Sequence, residues 1–315
     1  MPSGITALAI LPFVLAAFLS VNGAKSRKLS PSGAATAFVV ASLIMAAPVR
    51  AIGISLIVFY LLGSRATKYG NKRKAQLEAG FHDTGYRTGW QVLCNTFPAF
   101  IASILWSVRF TPGVFPWSFL AHVIDVSCDS VYTSDSWCPL SPAISDGLSR
   151  ALIFVTLGQF ACCLGDTLAS ELGILSSSPP ILITTLKAVP PGTNGGISVG
   201  GTLASAIGGC VVGLTQFASL AVENSACRAE WTNLLPSLMG WGMAAGVLGS
   251  MLDSLLGATL QRTRYSIDEK KILQDASIPG SNESVKVISG FNVLTNNQVN
   301  LISSTITALV VAMLA

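Results

Sequence analysis

Asp166 opens the strongest chemical signal in the chain. It sits in Gly165-Asp166-Thr167-Leu168-Ala169-Ser170-Glu171-Leu172-Gly173, at the end of an apolar run. At helical spacing Asp166, Ser170 and Gly173 share one face, so a carboxylate, a hydroxyl and a bare backbone occur together. A carboxylate with nearby hydroxyls suits Mg²⁺, which takes few protein oxygens and keeps water and phosphate ligands. Glu171 lies about 100° round the helix from Ser170 and addresses another neighbour. The competing interpretation is a small-residue packing face with Asp166 as a helix cap. Ionisable groups at membrane helix ends are costly, and a second carboxylate so close weighs against packing alone.

Two more clusters carry related chemistry. Lys187 precedes the turn Pro190-Pro191-Gly192-Thr193-Asn194-Gly195-Gly196, with Ser198, Gly200, Gly201 and Thr202 following. One ammonium, exposed backbone N–H groups and a helix start would make an anion cradle. The order is not that of a Walker A loop, because the lysine comes before the glycines. A glycine-rich turn is also, by itself, only a turn. Further on, Asp253, Gly257 and Gln261 recur at i, i+4 and i+8, and Asp253-Ser254 echoes Asp166-Thr167. Carboxylates from two helices would share a metal-bound phosphate chain; a buried structural pair or a transporter's coupling-ion site are the alternatives. Arg65 and Lys68 end an apolar segment, where snorkelling to lipid phosphate is their default role. Asn95 stands just inside another, and Asn296, Asn297 and Asn300 precede the last, with Asn297 a plausible N-cap. Nothing marks His82 or His122 as catalytic.

The elements that hold these residues must be membrane helices. The 315 residues are 51% hydrophobic and 11% charged, with a mean hydropathy of +0.61, whereas soluble domains carry about 25% charged residues. Disorder and an ordinary cytosolic enzyme are excluded. A net charge of +4 without a long basic patch gives no reason to invoke nucleic acid. The apolar runs are continuous rather than alternating, which disfavours a membrane β-barrel. The fold class expected is an all-α polytopic helix bundle forming one membrane domain, 1–315. Eight spans of about 20 residues or somewhat fewer fall at about 4–21, 31–47, 51–64, 91–108, 148–164, 197–222, 234–258 and 299–315. No basic segment precedes the first, so it does not read as a signal sequence. The second and third form a tight hairpin through Ala47-Pro48-Val49-Arg50, or else one broken helix.

Eight spans put fifteen of the 19 basic residues on one side, in the turn after the first span and in loops 65–90, 166–196 and 260–298. The positive-inside rule makes that side cytoplasmic. All three clusters fall there, while both termini and loop 109–147 face the lumen or exterior. That loop, with Asp125, Asp129, Asp135 and Asp146 and with Trp117 and Trp137 as interfacial anchors, reads as structural or as a lumenal cap. Loop 260–298 reads as a solvated connector from Arg262 through Asn282. The seven cysteines lack zinc-type spacing. Cys128 and Cys138 could pair in an oxidising lumen, and Cys94, Cys162, Cys163 and Cys210 read as packed thiols.

In combination, Gly165-Asp166-Thr167 with Ser170-Glu171-Leu172-Gly173, Leu182-Ile183-Thr184-Thr185 with Lys187, Pro190 and Gly192 to Gly196 resemble the transmembrane protein 19 family, also known as domain of unknown function 92. So do Asn95, Asp253-Ser254 with Gly257-Ala258-Thr259, the segment Arg65 to Lys74, and Gly290 with Asn296-Asn297. The resemblance runs from about Ser30 to the C-terminus, apart from 111–140 and much of 266–282. That family includes a plant phytyl-phosphate kinase, and the same Asp, Lys and Gly-Thr order is distantly similar to dolichol kinase-like enzymes that use CTP. The resemblance implies that Asp166, Lys187 and the turn Gly192, Thr193, Asn194, Gly195, Gly196 bind nucleotide phosphate and Mg²⁺, CTP being favoured over ATP. Joined to the reading of the residues, the expectation is that Asp166 and Asp253 hold Mg²⁺, that Asp166, Glu171, Lys187 and Asp253 are catalytic, and that Ser254 joins the phosphate-binding set. Asn95, Arg65 and Lys68 would meet a prenyl or phytyl acceptor, alcohol or monophosphate, drawn from membrane lipid. The expected setting is an ER-type endomembrane, with the plastid envelope as the alternative and homodimerisation open. The rival function is a secondary transporter working through Asp166 and Asp253; a non-catalytic membrane protein is the third.

Overall fold

The computed structural model describes residues 3–79, 85–124, 130–273, 277 and 284–315. Cys128, His82, Asp125 and Asp129 lie outside the described residues. Helices α1 (Ser3–Lys25), α2 (Pro31–Met45) and α3 (Arg50–Lys68) come first, followed by the short α4 (Asn71–Leu77). Next are α5 (Gly89–Cys94), α6 (Phe97–Phe110), α7 (Trp117–Ile124) and the long α8 (Leu148–Gly173). The remainder are α9 (Val199–Glu223), α10 (Ser225–Ala229), α11 (Trp231–Leu260) and α12 (Asn296–Leu314). All eight expected apolar segments are helical. Five of these helices meet the length and hydropathy of a full span; α2, α6 and the described apolar part of α1 are shorter.

The surface is inverted relative to a soluble protein. Ile10, Val14 and Phe18 on α1, Leu203, Ile207 and Leu214 on α9, and Ile306, Leu309 and Met313 on α12 are exposed. Polar Ser149, Thr156, Gln159 and Gln216 are instead fully buried. In lipid the outward face needs no polar groups, whereas internal polar groups must find partners. Gln216 Nε2 accordingly donates to Thr156 Oγ1 at 3.1 Å.

Helix α8 is the bundle's axis, packed against α3, α6, α9, α11 and α12 and buried almost continuously from Ile153 to Gly165. Backbones there approach more closely than side chains allow. A Cβ on Gly165 would lie 2.7 Å from Gly246 Cα and 3.0 Å from the Ser205 carbonyl oxygen. A Cβ on Gly209 would strike the carbonyl of Gly242. Small residues let membrane helices gain van der Waals contact where no hydrophobic drive separates helix from lipid. Asp166 and Asp253 follow these contacts on α8 and α11, so close packing brings both carboxylates to one end of the bundle.

The expected span 91–108 is broken. α5 ends at Cys94 with Asn95 as its C-cap, and Pro98 occupies the first turn of α6, where its missing N–H costs nothing but where it bars continuation from the preceding turn. The Asn95 carbonyl released by the break accepts from Gln159 Nε2 at 2.9 Å. A non-helical bend at membrane depth persists where protein satisfies it or where it lines a cavity.

On the side of loop 109–147, Trp106, Phe110, Tyr132 and Trp137 form a ring cluster with centroids 5.1–6.4 Å apart. Trp117, expected as an interfacial anchor, is 3% exposed and donates to the Ala46 carbonyl, and Trp137 packs within the cluster. The cysteine expectation is also corrected: Cys138 is disulfide-bonded to Cys227, 89 residues away. The bridge ties the loop to α10, and Asn224 Nδ2 adds a bond to the Trp137 carbonyl at 3.0 Å. Cys227→Ser is expected to cost about 2–4 kcal/mol, the usual worth of a disulfide closing a long loop, read as a lower unfolding temperature in detergent.

The opposite side differs from a plain connector. Strands β1 (Glu78–Ala79), β4 (Thr263–Ser266), β5 (Lys271–Leu273) and β6 (Val285–Ser289) form one sheet in the order β1-β5-β4-β6. β1 runs parallel to β5, and the other pairs are antiparallel. Two-residue strands β2 (Ile181–Leu182) and β3 (Gly196–Ile197) pair separately. Residues read as solvated therefore roof the bundle, with Ile272 and Leu273 against the space described next.

Candidate functional site

Beneath that sheet lies a polar cavity of about 640 Å³, within the range of about 300–1,000 Å³ usual for ligand sites. α8 and α11 contribute their C-terminal turns with Asp166, Ser170 and Glu171, and Asp253, Ser254 and Gly257. α9 and α12 contribute their N-termini with Ser198 and Gly201, and Asn296, Asn297 and Asn300. The helix break adds Asn95. Two helix N-termini, carrying partial positive charge, thus face two carboxylates across one space, with Ser198 Oγ capping the Gly201 N–H and a Thr295–Gln298 capping box at the start of α12. Anionic phosphate and a cation are both accommodated by such a pairing.

The carboxylates differ in how they are held. No hydrogen bond from the described residues reaches the Asp166 carboxylate, and the charged neighbours it feels are Asp253 and Glu171. Asp253 accepts from Ser303 Oγ at 2.9 Å. With its amide nitrogen turned toward Asp253, Asn300 donates to Asp253 Oδ2 at 3.2 Å and to the Asn296 carbonyl at 3.0 Å. Glu171 is occupied: buried Lys74 meets its Oε2 at 2.6 Å and also donates to the carbonyls of Ala66 and Thr67. Lys74 therefore ties α8 to the end of α3, a role not legible in the basic run it belongs to.

Among the described residues no group of three or more His, Cys, Asp or Glu is arranged to hold a metal. The described residues build no site for a soft transition metal. Asp166 and Asp253 as two oxygen donors, with hydroxyls near and room for water, fit Mg²⁺, which completes its octahedron with water and phosphate.

The glycine turn lines the cavity from Gly192 to Gly196, with Gly192 at φ +87° and Gly195 at φ +79°. A Cβ on Gly195 would collide with Ala258 Cβ, so only glycine lets the turn lie against α11 beside Ser254. The expected five-amide cradle is smaller, however. Thr193 N–H donates to the Pro190 carbonyl, Gly196 N–H to the Thr193 carbonyl and Asn194 N–H to Thr263 Oγ1. Of the five, Gly192 and Gly195 keep N–H groups for a ligand.

Three expected residues are not brought to the cavity. Lys187 is exposed, at the outer end of the loop between β2 and β3, and does not line it. A tight local hairpin holds it there: the Leu182 N–H donates to the Lys187 carbonyl and Ile181 bridges Ala188, leaving the lysine side chain exposed. Arg65 and Lys68 are exposed at the end of α3 and do not line it either. The cation that does is Arg87, which donates to Ser64 Oγ at 3.1 Å and Thr67 Oγ1 at 3.3 Å. Lys187→Met is accordingly expected to leave nucleotide-dependent thermal shifts unchanged, and stability within about 0.5 kcal/mol as for most surface changes.

The profile of a family described as "Integral membrane protein DUF92" matches residues 14–308. The chain is 33% identical over 299 residues to Protein PGR of Arabidopsis thaliana, covering 95% of this chain and 93% of that one. An uncharacterized membrane protein of Synechocystis is 27% identical over 76% of this chain and 74% of its own length. One from Methanocaldococcus jannaschii is 36% identical over 37% of this chain and 43% of its own. No solved structure matches.

Proposed function

The chain belongs to the DUF92 family of integral membrane proteins, and from that premise we propose that it is a phosphotransferase. It moves the terminal phosphoryl group of a nucleoside triphosphate, CTP before ATP, onto a prenyl alcohol or prenyl monophosphate at the cytoplasmic face. The observation that carries this reading is the pairing of Asp166 and Asp253 with the N-termini of α9 and α12 across one cavity. Phosphoryl transfer asks a protein mainly for positioning and charge neutralisation. Asp166 and Asp253 would hold Mg²⁺, which when bound neutralises charge on the phosphate chain. The N–H groups of Gly192 and Gly195 bind phosphate oxygens beside the positive end of α9, and Asn95 orients the acceptor oxygen. The acceptor's oxygen bonds to the terminal phosphorus as the bridging P–O bond to the nucleoside diphosphate breaks; an alcohol acceptor gives its hydroxyl proton to cavity water, whereas an ionised monophosphate oxygen has none to lose. Glu171, held by Lys74, acts as a positioning residue.

Depth favours this over transport. Asp166 lies about 27 Å along α8 from Leu148, and Asp253 about 33 Å along α11 from Trp231, at 1.5 Å per residue. The hydrocarbon core is about 30 Å thick, so both carboxylates come out near one face, whereas transporter sites lie near the midplane. The Cys138–Cys227 bridge at the opposite end suits an oxidising compartment there and, with the basic residues, supports a cytoplasmic cavity. An ER-type endomembrane meets both conditions.

The test is incubation of purified protein with Mg²⁺, labelled CTP or ATP, and a panel of prenyl alcohols and monophosphates. Label entering the lipid phase supports the enzyme. Absence of transfer, and of stabilisation by any nucleoside triphosphate at millimolar concentration, refutes it in favour of the transporter.

A further inference from the structure

Between the α1–α2 hairpin and α3 runs a narrow apolar slot of about 90 Å³, walled by Leu19, Val40, Ala41, Leu56 and Ile57. Its walls are mainly apolar, with Ser20 and Thr96 also among them. Its inner end is different: Phe59, Arg87 and Asn95 line both the slot and the polar cavity. An apolar space and a polar one therefore meet at a guanidinium and a side-chain amide. α1 packs chiefly on α2, and its outward residues Ile10, Val14 and Phe18 are exposed, so the slot lies at the bundle's lipid-facing edge rather than at its axis.

Two features at this junction lack a partner within the described protein. The Tyr60 hydroxyl, which lines the slot, is buried and makes no hydrogen bond. A buried hydroxyl left unpaired costs about 1–3 kcal/mol, so its retention points to a ligand group that pairs with it. Positive charge is the second. Lys28 stands 5.9 Å from the centre of the Tyr60 ring. Burial first, then the charges of Lys68, Arg87 and Arg65, push its ammonium below the ordinary lysine range. The carboxylate that Arg87 feels is Glu171, and Lys74 already holds it. Cations converge at the inner, polar end of an apolar slot with no carboxylate of their own among the described residues.

We infer that this slot receives the head-proximal end of a single-chain lipid with a phosphate head, the first carbons of its chain between α1–α2 and α3, the rest of the chain in the surrounding lipid, and its head gripped by Arg87, Lys28 and the Tyr60 hydroxyl. The inference rests on the phosphotransferase reading only for what happens next in the cavity. The chain gains by staying among apolar side chains and lipid, while the anionic head gains by reaching the cations; one molecule satisfies both ends. The head then stands at Asn95, on the boundary of the cavity that would hold the nucleotide.

The experiment uses the full chain in lipid nanodiscs and a farnesyl monophosphate analogue carrying a diazirine on its chain, without nucleotide. Photolabel is expected on α2 and α3. Ala41→Trp, which fills the slot, should cut that labelling at least tenfold, and Arg87→Gln should weaken binding of the monophosphate several-fold while sparing the corresponding alcohol. Tyr60→Phe should weaken it too without lowering the unfolding temperature, since the lost hydroxyl bonds to nothing in the protein. Labelling elsewhere, labelling indifferent to Ala41→Trp, or labelling abolished by inorganic phosphate would overturn the slot. If phosphoryl transfer persists while the slot variants change nothing, the inference fails and the phosphotransferase stands. If label maps to the slot but no nucleotide supports transfer, the lipid site stands and the phosphotransferase fails.

Discussion

Asp166→Asn is expected to lower kcat by about two to three orders of magnitude, the loss typical of removing one group that stabilises transition-state charge, while making the protein no less stable. Both halves follow from the surroundings of Asp166. It accepts no hydrogen bond from the described residues, and the charges it feels, Asp253 and Glu171, are negative. Neutralising it relieves like-charge repulsion and breaks no bond. Were Asp166 only a helix cap or packing residue, the same change would remove something stabilising. Unfolding temperature in detergent decides between these: unchanged or higher with activity gone supports a functional carboxylate, lower with activity proportionally retained supports a structural one. Mg²⁺ sharpens the comparison, because wild type should be stabilised by Mg²⁺ with nucleotide and the variant should not, as expected when ligand binds only the native state. Asp253→Asn should lose activity similarly but with some loss of stability, since Ser303 and Asn300 bond to it. The double variant should be scarcely worse in activity than either single one, because residues acting as a unit are not additive. Near-normal turnover of both single variants at limiting Mg²⁺ would sink the two-carboxylate site.

Much of this site was legible because the membrane makes anomalies conspicuous. A charge or an amide inside an apolar run, as at Asp166, Asp253 and Asn95, stands out against a background that excludes it. All three line the cavity together with the 192–196 turn. What the sequence hid depends on backbone pairing. Lys187 looks like the cation of an anion loop until the hairpin that joins its carbonyl to the Leu182 N–H leaves its side chain exposed. Arg87 looks like one more base in a cytoplasmic loop. It is placed by its backbone, whose N–H donates to the Lys28 carbonyl and whose carbonyl accepts from Ser30 N–H. The roof sheet joins strands of two to five residues from two separate loops, too short for an alternating pattern to register. The partner of Cys138 was equally hidden, since disulfide connectivity is not deducible from cysteine positions alone.

The second large effect concerns Lys74. Lys74→Met should destabilise the protein by about 3–5 kcal/mol, the range for removing one partner of a buried ion pair, toward the lower end because Glu171 retains 22% exposure against 2% for Lys74. The loss has two parts. Glu171 would be left without its cation near Asp166, and the Ala66 and Thr67 carbonyls at the end of α3 would lose their donor. Glu171→Gln should cost less, because the lysine keeps both carbonyls and a neutral amide still faces it. The double variant then isolates the pair: if the ammonium–carboxylate contact is the dominant part, Lys74→Met with Glu171→Gln should be more stable than Lys74→Met alone. If instead the carbonyl contacts dominate, the double variant should be no more stable than Lys74→Met. Activity separates position from stability. A Glu171 that only anchors α8 to α3 can be exchanged for Gln with kcat lowered in proportion to folded protein, whereas one that sets where Asp166 stands should lower kcat per folded molecule while nucleotide affinity changes little. The second outcome is expected, since Glu171 follows Asp166 by little more than one helical turn and Lys74 fixes that turn against α3.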